Sequence, residues 1–152
     1  MGYTDNLYGL SAATPTRVTR RDEYALAFSY PTDVVLPDGT PVKFDANGKL
    51  VVAVNSPAIG IISVSKASSQ NQTIAEGRAT VQMYAMAEVT GKATAAVAPG
   101  DELKFAGVDS AGLLTYTKAV AGDIVVAIAT TAAPANGFLP KTIVLSSYYK
   151  KA

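Results

Sequence analysis

Short turn motifs recur along this sequence, and they limit its fold more than any other feature. Each combines glycine with aspartate or asparagine: PDG (37–39), DANG (45–48), PGD (99–101), DSAG (109–112) and AGD (121–123). Aspartate and asparagine stabilise tight turns through local hydrogen bonds, and glycine adopts positive φ without steric cost. Frequent turns separated by short apolar runs are typical of a sandwich or barrel. The pattern predicts an all-β fold, a single β-sandwich or barrel-like domain.

The apolar runs between the turns predict the strands. Residues 42–44 and 49–54 flank Asn47-Gly48, which is a strong hairpin signal. A calcium-binding loop at 45–48 would need further alternating acids and a terminal glutamate, so a turn is favoured there. Residues 80–89 tolerate a helix, but their apolar alternation favours a strand. The other predicted strands are 24–30, 58–65, 102–105, 113–117, 124–129 and 141–145, with a loop at 130–140.

Two hairpins in the sequence resemble each other. Residues 42–44 and 49–51 read VKF and KLV, while residues 103–105 and 112–114 read LKF and GLL. An apolar strand follows each hairpin about ten residues later. The likeness is compatible with a duplicated unit, but ordinary hairpins obey the same turn rules. We therefore favour two independent hairpins.

Residues 1–23 differ from the β domain predicted for 24–152. They combine scattered large apolar residues and a mixed-charge patch, without helical or strand periodicity. Such a segment has too few clustered apolar residues to fold alone, yet it has aromatic residues that a solvated tail does not need. We expect an extended N-terminal arm that docks on a partner, although frayed termini are common in any domain. The residues expected to bind are Tyr3, Leu7, Tyr8, Leu10, Arg17, Arg20 and Arg21.

The residue types that are missing argue against an enzyme. The sequence has no histidine, cysteine or tryptophan, so the common bases, thiolate nucleophiles and transition-metal ligands are absent. Many of the acids lie in or beside turns, where they serve turn geometry, and no spacing indicates a catalytic carboxylate pair. We expect no catalytic residue, no metal and no cofactor.

Charge and hydropathy restrict the partners. The net charge is +1, which gives no general attraction to nucleic acid or a membrane surface. No apolar stretch is long enough for a transmembrane helix, and the N-terminus does not resemble a signal peptide. Charged residues make up 16% of the chain, against about 25% in typical globular proteins. A surface with so little charge favours packing against neighbouring proteins, and we expect a homo-oligomer, a trimer before a dimer.

Three segments of this chain resemble the small capsid decoration, or cement, proteins of tailed bacteriophages. They are GRATV (77–81), VAPGDEL (97–103) and AVAGDIVVAIA (119–129). A GD-x-L strand, a G-x-L return strand and an AGD-x-V strand recur in that group; VAPGDEL contains the first pattern and AVAGDIVVAIA the third. The likeness covers roughly residues 34–145, and it includes neither the N-terminal arm nor a match to the long 130–140 loop.

The resemblance implies a structural virion protein without an active site. Such a protein binds the major capsid protein on the outer capsid surface and cements adjacent capsomers, after assembly in the bacterial host cytoplasm. A carbohydrate-binding or adhesin-like β-sandwich of a fibre or cell-surface protein is the alternative. Sugar platforms usually use exposed aromatics, and Tyr148-Tyr149 is the conspicuous aromatic pair of this sequence.

Overall fold

A computed structural model describes residues 18–21, 26–62, 77–83 and 87–152, and it describes the side chains of 28–62, 77–83, 88–139 and 148–152. The described residues form strands and turns and contain no helix, so the predicted all-β class is confirmed. The strands are β1 (Val18–Arg21), β2 (Leu26–Pro31), β3 (Pro41–Phe44), β4 (Leu50–Val52), β5 (Gly60–Ile62), β6 (Arg78–Met83), β7 (Ala87–Ala93), β8 (Glu102–Val108), β9 (Leu114–Lys118), β10 (Ile124–Ala129) and β11 (Phe138–Lys150).

The strands form two sheets. One has six strands in the order β1-β7-β11-β10-β8-β9, and the other has five in the order β2-β6-β5-β3-β4. Neighbouring strands are antiparallel, except that β7 also pairs with β9 in parallel. This extra pairing closes β7, β11, β10, β8 and β9 into a ring. The predicted sandwich or barrel-like architecture is confirmed, because two sheets pack together and one of them closes on itself.

Five consecutive strands repeat the arrangement of the five before them. The first unit, β2 to β6, has the strand order β2-β6-β5-β3-β4, and the second unit, β7 to β11, has the order β7-β11-β10-β8-β9. Each strand of the first unit therefore has a counterpart five strands later. The repeated strand order supports the duplicated unit over the two independent hairpins that the sequence favoured, since β3–β4 and β8–β9 hold corresponding places in the two units.

Matching main-chain hydrogen bonds fix the residue correspondence between the units. Thr32 N–H donates to Gly77 O at 2.9 Å, and Ala93 N–H donates to Gly137 O at the same distance. Thr32 directly follows β2 and Ala93 ends β7, so these two residues correspond. Counting back two residues along each strand aligns Tyr30 with Gly91.

Gly91 explains why the second unit closes. A Cβ atom at this position would lie 2.8 Å from Leu114 O and 3.1 Å from the Tyr116 ring. Glycine therefore permits a close approach of two backbones that another residue would prevent, and β7 pairs with β9. Tyr30 occupies the corresponding position in the first unit, and the described residues of β2 and β4 are not paired.

The core consists of two clusters of apolar side chains. The larger cluster lines the second unit, where the Phe105 and Tyr116 rings meet edge to face with centroids 5.4 Å apart. The smaller cluster lies in the first unit and includes Leu36, Val42 and Leu50. Ile61 of β5 is part of the larger cluster, so it joins the two units. Each fully buried large apolar side chain contributes about 1.5–3 kcal/mol of transfer free energy.

Two predicted boundaries differ from the structure. Residues 80–89 were predicted as one strand, but β6 ends at Met83 and β7 begins at Ala87 in the other sheet. The apolar alternation is similar on both sides of this break, and alternation does not record a change of sheet. The predicted loop at 130–140 is shorter than expected because β11 begins at Phe138.

β1 lies within the range 1–23 that the sequence assigns to the arm. It pairs antiparallel with β7 at the edge of the six-stranded sheet. Residues 18–21 of the expected arm thus form an edge strand of this sheet, and the remainder of the expected arm lies outside the described residues.

Candidate binding surfaces

Two hairpin turns use an aspartate in the same way. Asp45 Oδ1 accepts hydrogen bonds from the N–H groups two and four residues further along, at 2.8 and 2.9 Å. Asp109 Oδ1 accepts the two corresponding bonds, both at 2.9 Å. These carboxylates satisfy the main chain of their own turns, as aspartate does in Asx turns.

Asp101 and Asp123 share a second turn geometry. The Oδ2 atom of each accepts the N–H of the residue three positions earlier, at 2.9 Å in both turns. The predicted structural role of the turn acids is thus confirmed at these two positions and in the two hairpins. The pKa of the Asp101 carboxyl lies below its usual value, first because Lys118 donates to it and then because of the Ala98 N–H.

Asp123 also joins the two units. It is buried, accepts a hydrogen bond from Asn55 Nδ2 at 3.0 Å, and pairs with Lys104 at 3.0 Å. Asn55 lies in the loop between β4 and β5, and its Oδ1 accepts a bond from Ile124 N–H at 2.9 Å. The Val120 N–H, followed by Lys104 and Asn55, lowers the pKa of Asp123. One asparagine thus ties the loop of the first unit to the second unit.

A polar cluster connects β8 and β11 across β10, which lies between them in the sheet. Tyr149 Oη donates to Glu102 Oε1 at 2.5 Å, and Lys151 forms an ion pair with the same carboxylate. Lys151 and then Tyr149 lower the pKa of Glu102, and Glu102 raises the pKa of Tyr149. Tyr148 and Tyr149 are both exposed. The Glu102–Lys151 pair is half-buried, and ion pairs near the surface contribute little to stability, so we regard the cluster as a polar surface.

An aromatic patch, formed by Phe28, Tyr30 and Phe44, is exposed on the first unit. The Tyr30 and Phe44 rings meet edge to face with centroids 4.8 Å apart, and Phe28 lies 6.5 Å from Tyr30. Phe28 is 45% exposed and Phe44 is 38% exposed. Val89, the counterpart of Phe28, is fully buried, and so is Phe105, which follows Leu103-Lys104 as Phe44 follows Val42-Lys43. The patch therefore belongs to the inward face of the first unit, and the described strands of that unit do not cover it.

The gap between β2 and β4 is bridged where β2 ends and β4 begins, beside Phe44, the strand partner of Leu50. Thr32 Oγ1 donates to Leu50 O at 3.2 Å, and Lys49 pairs with Asp33 at 2.7 Å. Side chains thus hold the end of β2 beside the start of β4. The first unit is consequently an open sheet whose edge strands β2 and β4 approach each other at Thr32 and Leu50 but not at Phe28.

The structure locates two of the seven residues expected to bind. Arg20 and Arg21 lie in β1, opposite Glu88 and Ala87 of β7. The other expected residues lie outside the described ones, namely Tyr3, Leu7, Tyr8, Leu10 and Arg17.

The sequence did not indicate the aromatic patch as a surface. Phe28 and Tyr30 alternate with Ser29, so they read as the inward face of a strand. Comparing the two repeats would have given a signal, because Phe28 and Tyr30 stand where the second unit has Val89 and Gly91.

Neither a known protein-family model nor a curated protein sequence matches this chain. The part of the chain that the structure describes has no cluster of three or more potential metal-ligating side chains. The described residues also contain no helix that is both long and apolar enough to span a membrane.

Proposed function

We propose that this protein is a structural virion component that binds the outer surface of a bacteriophage capsid and cements adjacent capsomers. The main support from the structure is the contrast between its acids and its aromatics. Asp45, Asp101, Asp109 and Asp123 hold the main chain of turns, while an aromatic patch is exposed. Exposed apolar clusters commonly mark protein–protein contacts. The resemblance of three sequence segments to capsid decoration proteins selects the capsid as the partner.

Stabilisation of the shell follows from linkage. A protein that binds the assembled shell but not separated subunits raises the free energy of disassembly, by about 2.7 kcal/mol per site at about 100 times its Kd. Many copies act together on one shell. Neither catalysis nor a cofactor is required for this role.

The N-terminal arm is the proposed attachment element. Tyr3 and Tyr8 offer aromatic anchors, and Arg17 offers a forked donor for carboxylates. Docking of the arm would cost conformational entropy, about 1 kcal/mol or more per ordered residue. The aromatic anchors must offset that cost, so they should matter more than the serines and threonines of the arm.

Co-sedimentation with expanded shells of the cognate major capsid protein tests the proposal. We expect saturable binding at a fixed ratio to the shell protein, and a higher temperature of shell disruption. Tyr8→Ser should weaken binding, whereas Tyr148→Ser, which removes an exposed tyrosine of the β domain, should not. Absence of co-sedimentation would refute the capsid role, and binding on a glycan array would then favour the carbohydrate-binding alternative.

A further inference from the structure

The second unit contains a strand contact that has no described counterpart in the first. β1 runs antiparallel to β7, with Val18 opposite Val89 and Arg21 opposite Ala87. β9 pairs with β7 further along, at Lys92 and Ala93. β1 therefore covers the stretch of β7 that β9 leaves unpaired.

The corresponding stretch of the first unit is residues 26–28 of β2. Among the described residues, β2 pairs with β6 alone. Phe28 corresponds to Val89, yet Phe28 is 45% exposed while Val89 is fully buried. β2 of the first unit thus has an edge and an inward face that correspond to those of β7. No described strand covers them, whereas β1 covers those of β7.

Main-chain geometry shows which part of this edge can accept a strand. Thr32 N–H points to β6, where it donates to Gly77 O, and main-chain direction alternates along a strand. The N–H and C=O groups of Ala27 and Ser29 therefore point away from β6. Arg78 donates to Ser29 O at 2.6 Å and to Ser29 Oγ at 3.1 Å.

Proline and a charged side chain often protect an edge from further pairing. Pro31 and Arg78 protect this edge from Ser29 onward. The stretch around Ala27 is not protected in this way, and it corresponds to the stretch that β1 covers in the second unit.

We propose that this edge is a strand-acceptor site, and that residues 3–10 of a second copy of the chain occupy it. This inference rests on the proposed function and refines it: the arm serves attachment by linking neighbouring copies on the shell, so Tyr8 contacts a second copy rather than the shell itself. In an extended conformation, Tyr8 and Leu10 lie on one face of the segment, where they would cover the aromatic patch. Strand addition to a free edge combines main-chain hydrogen bonds with side-chain pockets.

The composition of the chain favours this occupant. Two long segments lie outside the described residues, 1–17 and 63–76. Residues 63–76 read SVSKASSQNQTIAE and contain no aromatic residue, whereas residues 3–10 contain two tyrosines and two leucines. Of these two long segments, the N-terminal one alone can supply aromatic contacts to the patch.

Donation between copies also agrees with the oligomer expected from the sequence. Each chain would give one arm and accept one, which is a head-to-tail contact that closes as a ring. A ring of three copies satisfies every acceptor edge, in agreement with the expected trimer.

Photo-crosslinking of the full chain tests the inference without any shell. Tyr8→p-benzoylphenylalanine keeps an aromatic side chain at the arm and reports its contacts. Equal amounts of light and heavy isotope-labelled chains are mixed, irradiated, digested with trypsin and analysed by mass spectrometry. We expect crosslinks from position 8 to the peptide 22–43, which contains Phe28, in mixed-isotope products.

Matched variants test whether the aromatic patch is required for the crosslinks from position 8. Phe28→Ser should reduce these crosslinks roughly tenfold, as expected for the loss of an aromatic anchor. Phe138→Ser removes a phenylalanine of similar exposure, 41%, from β11 and should leave them unchanged. Phe44→Ser gives an independent removal from the patch, and circular dichroism verifies that each variant is folded.

The outcomes separate this inference from the capsid role. Crosslinks within one chain only, crosslinks to another surface, or equal yields for Phe28→Ser and Phe138→Ser would each overturn the strand-acceptor site. A chain that passes this test but does not co-sediment with shells would retain the acceptor site and lose the proposed function. A chain that binds shells but gives no such crosslinks would retain the proposed function and lose the acceptor site.

Discussion

Replacing Asn55 with alanine tests how the two units are joined. Asn55→Ala removes the bond from Nδ2 to Asp123 at 3.0 Å and the bond from Ile124 N–H at 2.9 Å. Each such bond contributes about 1 kcal/mol net to stability. Asn55 also has φ of 42°, a left-handed conformation that costs alanine roughly 1 kcal/mol. We expect Asn55→Ala to lower the free energy of unfolding by about 3 kcal/mol.

Asn136 provides a matched control. It is exposed and has φ of 59°. Asn136→Ala therefore tests the cost of placing alanine in a left-handed backbone conformation, about 1 kcal/mol. Asn55→Gly makes the complementary change, because glycine tolerates the conformation but loses both hydrogen bonds. Its expected cost is about 2 kcal/mol.

Urea unfolding at neutral pH measures these differences. The chain has no tryptophan and eight tyrosines, so circular dichroism and tyrosine fluorescence are suitable signals. The midpoint should fall most for Asn55→Ala, less for Asn55→Gly and least for Asn136→Ala. Equal effects of Asn55→Ala and Asn136→Ala would show that the hydrogen bonds of Asn55 do not stabilise the joint.

The same variant changes the acid dependence of stability. The folded-state pKa of Asp123 is lowered, chiefly by the Val120 N–H and also by Lys104 and Asn55. A carboxyl with a lowered folded-state pKa stabilises the fold above its unfolded value, near about 4, and loses that contribution as the pH falls through the folded value. Asn55→Ala removes one cause of the lowering, so the loss on acidification should be smaller than in the wild type. Urea titrations from neutral to acid pH measure this change.

Three other substitutions test separate features of the fold, each by urea unfolding. Gly91→Ala should cost about 1–2 kcal/mol, because its Cβ would lie 2.8 Å from Leu114 O; an unchanged midpoint would contradict the closure argument. Tyr116→Phe should stabilise the protein by about 1 kcal/mol, because the buried Tyr116 hydroxyl has no hydrogen-bond partner among the residues that the structure describes. Burial raises the pKa of Tyr116, so wild-type stability should fall as the pH rises above about 10, and the Phe variant should lose less. Asp109→Ala should cost about 1–2 kcal/mol through two lost turn hydrogen bonds, with co-sedimentation unchanged; loss of shell binding by a folded variant would give Asp109 a direct role.

The candidate binding surface was only partly accessible from the sequence. The arm was recognised because aromatic residues are unusual among small polar ones, and most of its residues lie outside the described structure. The aromatic patch was not recognised, because Phe28 and Tyr30 have the alternation of core residues. The inward face of a strand is buried only if other strands pack over it. The alternation of apolar residues within that strand does not show whether they do.

The sequence by itself determined the turns and, through them, the fold class. Asp45 and Asp109 accept hydrogen bonds from residues at most four positions away, so the side chains within each turn suffice to specify it. Tertiary structure alone decided the repeat of five strands, the change of sheet between β6 and β7, and the closure of the second unit. Closure depends on contacts between residues distant in sequence: Gly91 lets β7 reach β9, whereas Tyr30 stands at the corresponding position of a unit that remains open.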